Sequence, residues 1–281
     1  MSASTHHGHG SVLKHHFDNL EQQHSAERLG MWFFLVTEVL FFSGMFVAYT
    51  VYRNWYPGEF AFASSHLLVM IAAINTVLLI TSSLTMTLAI RSAQLGDKAG
   101  LIRRLLVTFA LGAGFMGFKA FEYRTDYHEK FVPGEMFRTE YARPIAELSA
   151  DDAKRKFEGR PALTRAEVEN YQFKGEYEHW SQDLAKKNYG LEPGAAGTVS
   201  PERVQLFLCF YYIMTGIHGV HIVVGLGCIL WLVAEACRGA IPREAYSKVE
   251  VISLYWHLVD MIWLFLMPLL YLIRSGSGGG H

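Results

Sequence analysis

The sequence predicts an all-α membrane protein of five transmembrane helices in a bundle, with a long extramembrane insertion between helices 3 and 4. Hydrophobic residues make up 51% of the 281 residues, and most of them are gathered into five apolar runs. About 20 consecutive apolar residues cross the hydrocarbon core of a bilayer as a helix. Two long polar stretches, 1–28 and 124–202, interrupt the apolar runs, so we expect both of them outside the membrane.

The predicted helices divide the chain into five regions. In chain order, the helices are predicted at 29–52, 65–90, 101–123, 204–236 and 249–273. The regions are a polar His-rich arm at 1–28, helices 1–3 at 29–123, the insertion at 124–202, helices 4–5 at 203–273 and a tail at 274–281. The Gly- and Ser-rich tail is typical of a flexible linker, such as one that precedes a purification tag.

The short loops indicate the orientation of the chain. Segment 91–104 contains four basic residues and segment 236–250 contains three, whereas segment 53–64 contains only Arg53. Short loops rich in Lys and Arg stay on the cytoplasmic side. We therefore expect the N-terminus and both basic loops in the cytoplasm, and the insertion and the C-terminus outside.

Charge and cysteine spacing argue against a nucleic-acid-binding protein and against a disulfide or zinc framework. The formal net charge is -1 and no basic stripe is present, which argues against nucleic-acid binding. Cys209, Cys228 and Cys237 show neither disulfide nor zinc spacing. The polar arm contains six histidines without a regular ligand spacing, so a solvated arm and a metal site both remain open; they are His6, His7, His9, His15, His16 and His24.

The insertion contains too many aromatic residues for a plain disordered linker. Thr164 and Glu167 form a capping-box pattern, which predicts the start of a short helix. We therefore expect a small folded cap on the outer face that packs on a partner. A loosely ordered loop is the alternative.

The first span contains a single carboxylate, Glu38. It lies eight residues after Gly30, which is about 12 Å along a helix. Its neighbours three and four residues away are all apolar, namely Phe34, Leu35, Phe41 and Phe42. A charged carboxylate is costly at this depth, so we predict that Glu38 is protonated, or that it meets water or a partner from another helix.

Other polar residues fall in the second and third spans. Asn75 and several Ser and Thr residues lie in the second helix, where such groups hydrogen-bond across helix interfaces. Lys119 and Glu122 are three residues apart near the end of the third helix. This spacing allows them to pair on one face.

The last two spans contain histidines. His218 and His221 share one helix face, and His257 and Asp260 share another within pairing reach, next to Trp256. The spacing does not supply the Glu-x-x-His pairs of a di-iron bundle or a convincing pattern of facing haem ligands. Hydrogen bonds that fix helix register are favoured over redox ligands.

These segments together resemble subunit III of haem-copper oxidases. They are, in order, FFLVTEVLFFSG around Glu38, Asn75-Thr76 followed by TSS at 81–83, FKAFEY at 118–123, HGVH at 218–221 and YWHLVDMIWLFLMPLLY at 255–271. The resemblance covers all five predicted helices. Each segment alone is a weak signal, but the ordered set is specific.

The resemblance implies a subunit without redox centres. In this family the haems and copper lie in subunits I and II, which reduce oxygen to water. Subunit III packs on subunit I, binds phospholipid, and supports proton uptake and durability during turnover. The carbodiimide-reactive carboxylate of the family falls on Glu38, and its structural polar contacts fall on His218, His221, His257 and Asp260. The resemblance further implies subunit II and small subunits as partners, and the bacterial inner membrane as the location.

The sequence departs from the family pattern in three places. Two N-terminal helices of seven-helix members have no counterpart here, so either another subunit supplies that wall of the lipid cleft or the lipid site differs. Lys119 stands where many members have glutamine. The insertion at 124–202 is long, and we expect it to dock cytochrome c, another electron donor or a neighbouring subunit.

Several functions remain open from the sequence. Cytochrome c is the preferred donor, and subunit III of a quinol oxidase and an accessory protein of nitric oxide reductase are alternatives. A free-standing haem or metal protein using His218, His221 and His257 is less favoured. A proton-coupled transporter built around Glu38 is disfavoured because the sequence shows no internal repeat.

Overall fold

Most of the described residues are helical. The computed structural model describes residues 17, 19–129, 131–134, 137, 154, 155, 158, 201–239, 241, 242 and 245–273. The helices are α1 Leu20–Trp55, α2 Pro57–Ser65, α3 Val69–Leu95, α4 Lys98–His128, α5 Pro201–Arg238 and α6 Ser247–Tyr271. No strand occurs among these residues, so the all-α prediction is confirmed.

Five of the six helices, all except α2, have the length and apolar composition of membrane spans within the described residues. The shortest of the five, α6, contains 25 residues, which is about 37 Å of helix. This length exceeds the hydrocarbon core, which is about 30 Å thick. The structure therefore confirms the five predicted spans.

The helix ends differ from the prediction because polar turns continue the apolar cores. Helix α1 begins at Leu20 rather than at residue 29, and α4 continues to His128. The polar first turns of α1 pack on the start of α6, where Ser247 Oγ donates a hydrogen bond to Glu27 Oε2 over 2.8 Å. Gln23 Nε2 also donates to Glu27, over 3.2 Å. Hydropathy locates the membrane-spanning core of a helix but not its solvated turns.

Helix α2 was not predicted. Pro57 lies in its first turn, where the fixed φ of proline suits a helix and the missing N–H has no partner to lose. Glu59 of α2 accepts a hydrogen bond from Arg203 Nη1 over 3.1 Å. The Arg203 guanidinium also lies 4.6 Å from the centre of the Tyr56 ring, so the start of α5 is held against this loop.

A glycine ends α3 and allows the tight connection to α4. Gly96 has φ +75°, in the left-handed region that other residues adopt only with strain. Beside it, the backbone N–H of Asp97 donates to the Ser92 carbonyl over 2.9 Å. The Asp97 side chain accepts a hydrogen bond from the Gly100 N–H over 2.9 Å, which caps the first turn of α4.

The chain divides into two compact units, which we describe separately. Unit 1 comprises Met1–Gly44, Ala73–Phe118 and Gly216–Phe265. Its core is formed by large apolar side chains from α1, α3, α4, α5 and α6: Leu35, Phe42, Leu79, Met86, Phe115, Ile222, Ile229, Trp256 and Trp263. Leu79 and Met86 of α3 are seven residues apart, and so are Ile222 and Ile229 of α5. This spacing places the two residues of each pair on one helix face.

Unit 2 comprises Met45–Ala72, Lys119–Thr215 and Leu266–His281. The Tyr49 ring lies at its centre, 5.4 Å from the Phe60 ring and 6.2 Å from the Phe207 ring. The last carbonyls of a helix have no partner within the helix. Two of these carbonyls at the end of α6 are bound by side chains of other helices. The Tyr49 hydroxyl donates to the Leu269 carbonyl and the Ser64 hydroxyl to the Leu270 carbonyl, each over 2.8 Å.

Most of the predicted insertion lies outside the described residues, including Thr164 and Glu167. The histidines at positions 6–16 and the tail at 274–281 lie outside them as well. At the start of the insertion, Phe131 is buried and its ring stacks on His66, with the centroids 5.0 Å apart. Phe137 contacts Phe131 at 5.9 Å. These three residues show that the first part of the insertion packs on the loop after α2.

Candidate functional site

Glu38 of α1 pairs with His221 of α5 in unit 1. Glu38 Oε2 lies 3.0 Å from His221 Nε2, and the two side chains are 19% and 18% exposed. The Phe42 ring meets the imidazole edge-on at 5.3 Å. The Tyr255 hydroxyl donates to the His221 carbonyl over 2.9 Å. The sequence left three possibilities for Glu38, and the structure supplies the partner from another helix.

The contacts of the His221 ring indicate how this pair can share a proton. His221 Nδ1 lies 2.8 Å from the Ile217 carbonyl oxygen. A carbonyl oxygen only accepts hydrogen bonds, so Nδ1 carries a proton. The contact between Nε2 and Oε2 then needs one more proton, on either the imidazole or the carboxyl group. Both arrangements are neutral overall, so the pair places a carboxyl group in a membrane span without a net charge.

The hydroxyl residues of α3 bind residues of α6, as the small polar residues of this helix predicted. Thr76 Oγ1 accepts a hydrogen bond from Trp263 Nε1 over 3.1 Å. Ser82 Oγ accepts one from Trp256 Nε1, also over 3.1 Å. On the α4 side, Thr85 and Thr108 hydroxyls lie 2.7 Å apart. These contacts hold α3 between two neighbouring helices of unit 1.

His257 and Asp260 do not pair with each other, although their spacing allows it. His257 Nδ1 lies 2.6 Å from Ser83 Oγ, and Asp260 Oδ2 accepts a hydrogen bond from Ser82 over 3.4 Å. Both side chains therefore bind α3. A spacing of three residues places groups on one face, but here the adjacent serines of a facing helix bind both groups.

Trp256 lies in the interior of unit 1. Its side chain is fully buried, and two glycines make room for it. A Cβ at Gly112 would lie 2.7 Å from the Trp256 ring, and a Cβ at Gly225 would lie 2.8 Å from it. These distances are shorter than van der Waals contact, so α4 and α5 approach Trp256 only because both positions lack a side chain.

His218 and Asn75 are both fully buried in unit 1. The His218 ring stacks on the Trp263 ring at 5.5 Å and meets Phe115 edge-on at 5.7 Å. His218 and His221 therefore have different surroundings despite their spacing of three residues. Neither the oxygen nor the nitrogen of the Asn75 amide has a hydrogen-bond partner among the described residues.

Lys119 and Glu122 form a buried ion pair in unit 2, with Nζ and Oε2 2.9 Å apart. Lys119 Nζ also donates to the hydroxyls of Tyr211 and Tyr271, over 3.1 and 2.8 Å. Each of these hydroxyls donates in turn to Glu122 Oε1, over 3.0 and 2.7 Å. The cluster therefore joins α4, α5 and α6, and it uses all three protons of the ammonium group.

The sequence identified the ion pair but not the tyrosines that complete it. Tyr211 and Tyr271 were absent from the predicted site, and so was the nearby bond from the Tyr212 hydroxyl to Asp126, which measures 3.1 Å. In the sequence, these tyrosines are marked only by lying in apolar spans, near the span ends that are on the same side of the membrane as Lys119 and Glu122. That signal does not reveal which tyrosines face the pair.

The three membrane histidines do not converge. His221 contacts Glu38, His257 contacts Ser83, and His218 lies between aromatic rings. Across the described residues, no group of three or more His, Cys, Asp or Glu side chains is arranged to hold a metal ion. The arrangement places a carboxyl group and an imidazole in contact within unit 1, and elsewhere its polar groups tie helices together.

Five apolar helices joined by hydrogen bonds between polar side chains define a multi-pass membrane protein. The family follows from comparison with known proteins. The family described as cytochrome c oxidase subunit III matches residues 10–129 and 199–275, which is more than half of the chain. This chain belongs to that family, so it is a subunit III of a haem-copper oxidase and part of an oxidoreductase complex that contains other oxidase subunits.

Relatives of two kinds cover most of the chain. Cytochrome c oxidase subunit 3 of Thermostichus vulcanus is 23% identical over 91% of this chain and 92% of its own length. Quinol oxidase subunit 3 of Bacillus subtilis is 23% identical over 89% and 88%. Cytochrome bo(3) ubiquinol oxidase subunit 3 of Pseudomonas putida is 23% identical over 87% and 84%. Identity therefore does not distinguish the two electron donors.

Proposed function

We propose that this chain is a non-catalytic subunit III of a proton-pumping cytochrome c oxidase, with the haems and copper in subunits I and II. It packs on subunit I, binds phospholipid, and supports proton uptake and durability during turnover through Glu38. The observation that carries this proposal is the Glu38–His221 pair inside a membrane span. Intramembrane ionisable residues are candidates for function because they are costly to keep.

The chemistry of the pair supports a role with protons. One proton lies between Nε2 and Oε2 in either protonation state, so it can move from one atom to the other without creating net charge. Both side chains keep a small exposed fraction, 18% and 19%, so the pair is reachable from outside the chain. A proton held in this way can exchange with a neighbouring group at low electrostatic cost.

The exposed surface of α1 supports contacts with subunit I and phospholipid. Apolar side chains along this helix are more than half exposed: Leu29, Trp32, Phe33, Leu40 and Val47. Such a surface is stable next to acyl chains or another membrane helix, but not next to water. Glu38 lies on the same helix, so a partner or lipid that covers α1 also controls the surroundings of the pair.

Carbodiimide labelling tests the assignment of Glu38. We expect the reagent to modify this chain in the purified complex, and Glu38→Gln to abolish the modification while the complex still assembles. Glu235→Gln is the matched control, because Glu235 is a partly exposed acid of α5 that the proposal does not use. Unchanged labelling in the Glu38→Gln complex would contradict the assignment.

Purification through this chain tests the oxidase role. Haem and copper should co-purify, and a reduced-minus-oxidised spectrum should assign them to the other subunits after the chain is stripped off. Oxygen consumption should then decay faster during turnover than in the intact complex. A redox chromophore retained by the isolated chain would contradict the proposal and would make His218, His221 and His257 candidate ligands.

The electron donor and the orientation are also proposals. Cytochrome c is the proposed donor, and the insertion at 124–202 is its proposed docking region or that of a neighbouring subunit. Oxygen consumption by the purified complex should be supported by reduced cytochrome c and not by a quinol; the reverse result would favour the quinol oxidase alternative. In the bacterial inner membrane, reporter fusions should place the N-terminus in the cytoplasm and the C-terminus outside.

A further inference from the structure

Four polar side chains of α3 and α6 form a continuous row of contacts in unit 1. The Ser83 hydroxyl bonds the Asp260 carboxyl group and lies 2.6 Å from His257 Nδ1. On the other side of the imidazole ring, His257 Nε2 lies 3.4 Å from Thr87 Oγ1. The row therefore runs from a buried acid, through a hydroxyl and an imidazole, to an exposed threonine of α3.

The surroundings of Asp260 favour its neutral, protonated form. The residue is only 5% exposed, and none of the ion pairs among the described residues includes it. It lies 13 positions after the start of α6 and 11 before its end, which is about 20 Å and about 17 Å of helix. The polar groups around it are neutral hydroxyls and an imidazole, namely Ser82, Ser83 and His257. A charge this deep in a membrane span is costly without an opposite charge beside it.

The bonds around His257 indicate which atoms carry hydrogens. The shorter contact of the Thr87 hydroxyl is to the Ser83 carbonyl, over 3.0 Å, and the single hydroxyl hydrogen is donated there. Thr87 Oγ1 therefore meets His257 Nε2 as an acceptor, and Nε2 carries a hydrogen. In a neutral imidazole Nδ1 is then an acceptor, so the Ser83 hydroxyl donates to it. The lone pairs of Ser83 Oγ remain to accept from the protonated carboxyl group of Asp260.

These contacts let the proton of Asp260 leave without any molecule entering the interior. The carboxyl proton moves to Ser83 Oγ while the Ser83 hydrogen moves to His257 Nδ1, which leaves a carboxylate and an imidazolium and the same total number of protons. The imidazolium then releases its Nε2 hydrogen to water, and a proton returning from water reverses both steps. A hydroxyl can donate and accept at once, and the two imidazole nitrogens can exchange roles.

His257 is the outer end of this route because it lines a cleft at the surface of the helices. The cleft lies between α3 and α6 and measures about 270 Å³. Ile80 and Met261 line it as well and are 53% and 54% exposed. A water molecule fills about 30 Å³ and needs at least two polar partners, and the hydroxyls of Thr76 and Ser83 line the cleft beside the imidazole. The cleft is therefore large and polar enough for several water molecules.

The row leads from the middle of the two helices toward one end. Ser83 contacts His257, whereas Thr76, earlier in α3, contacts Trp263, later in α6. The helices are therefore antiparallel, and the start of α6 lies at the same end as the last turn of α3. His257 is 10 positions from the start of α6, which is about 15 Å, compared with about 20 Å for Asp260. This end carries the basic loops that the sequence predicts to be cytoplasmic.

We propose that Asp260, Ser83 and His257 form a proton relay, in which Asp260 holds a proton and exchanges it with water through Ser83 and His257. The relay shares no residue with the Glu38–His221 pair. It therefore gives the chain a separate proton-holding site, which goes beyond the proposed function and does not depend on the role proposed for Glu38.

Infrared difference spectroscopy of the purified complex measures this exchange. A protonated carboxyl group has a C=O stretching band that shifts when deuterium replaces its proton. The band of Asp260 is the one that Asp260→Asn removes and that Asp260→Glu moves. After transfer of the parent complex into D₂O, we expect this band to shift. In Ser83→Ala the shift should be at least about tenfold slower, because positioned groups accelerate proton transfer by about a hundredfold or more.

Three further variants separate the relay from packing. Ser82→Ala is the matched control, since Ser82 contacts the same carboxyl group but not His257; it should move the band and leave the exchange rate unchanged. Ser83→Thr restores a hydroxyl and should restore the parent rate. His257→Gln keeps a polar side chain that cannot pass a proton between two nitrogens, so exchange should slow as in Ser83→Ala.

Slow exchange in Ser83→Ala and His257→Gln, with parent rates in Ser82→Ala and Ser83→Thr, supports the relay. An unchanged rate in Ser83→Ala, or equal slowing by both serine-to-alanine changes, overturns it. The relay also fails if Asp260→Asn removes no band of a protonated carboxyl group, because Asp260 would then be ionised. None of these outcomes involves Glu38, so carbodiimide labelling tests the proposed function separately.

Discussion

Replacing Lys119 by methionine should destabilise the chain by about 3 kcal/mol. Lys119→Met keeps the apolar stem but removes three hydrogen bonds, to Glu122, Tyr211 and Tyr271. Polar contacts between membrane helices contribute about 1 kcal/mol each. The change also leaves Glu122 buried without a cation, and breaking a buried pair costs about 3–5 kcal/mol. The two tyrosine hydroxyls still donate to Glu122, which places the expected loss at the lower end.

The assay is reversible unfolding of the chain in mixed micelles, titrated with a denaturing detergent and followed by circular dichroism. Glu122→Gln and the double variant complete a double-mutant cycle. Because the double variant leaves no unpaired charge, it should be more stable than Lys119→Met, with a coupling of about 2 kcal/mol. Lys98→Met is the control. Lys98 is exposed, and among the described residues its ammonium group donates one hydrogen bond, to the Cys237 carbonyl, so the change should matter by less than about 1 kcal/mol.

Two results would refute this reasoning. Lys119→Met could behave like Lys98→Met, which would mean that the buried cluster adds little to the stability of the chain. Alternatively, the two single changes could simply add in the double variant. Additive effects would show that Lys119 and Glu122 act independently, contrary to the 2.9 Å contact between them.

Three further changes probe unit 1. Gly225→Ala should destabilise the chain by about 1–3 kcal/mol in the same assay, because the added Cβ would lie 2.8 Å from Trp256. Gly227→Ala is the control and should be neutral, because nothing lies within 4 Å of its Cβ. Equal effects of the two changes would contradict the packing argument. Trp256→Phe should cost about 1 kcal/mol by losing the bond to Ser82, and an unchanged midpoint would count against that bond. His257→Ala should reduce retention of the chain in the detergent-solubilised complex without altering the haem spectrum, whereas loss of a haem band would indicate a ligand.

Two of the described pairs of ionisable side chains follow one physical rule. Glu38 pairs with His221, and Lys119 pairs with Glu122. Each pair is neutral as a unit, because the cost of placing a charge in low dielectric is offset only by an opposite charge or a shared proton. Asp260 has no such charged partner among the described residues, and its carboxyl group is bonded instead by serine hydroxyls of α3.

Much of the architecture could be predicted from the sequence. The five spans follow from hydropathy, because burying backbone in lipid requires long apolar helices. The pairing of Lys119 with Glu122 follows from a spacing of three residues on one helix. The need of Glu38 for a partner follows from its depth in an apolar run. Each of these conclusions depends only on residues close together in the chain.

Only the tertiary structure decided which distant residues meet. The partner of Glu38 is His221, which is 183 positions away, and its neighbour His218 lies instead between Phe115 and Trp263. Likewise, His257 and Asp260 bind serines of α3 rather than each other. A sequence specifies the faces of each helix, but the rotation and crossing of packed helices depend on the fit of all side chains at once. Partners across helices are therefore determined by packing.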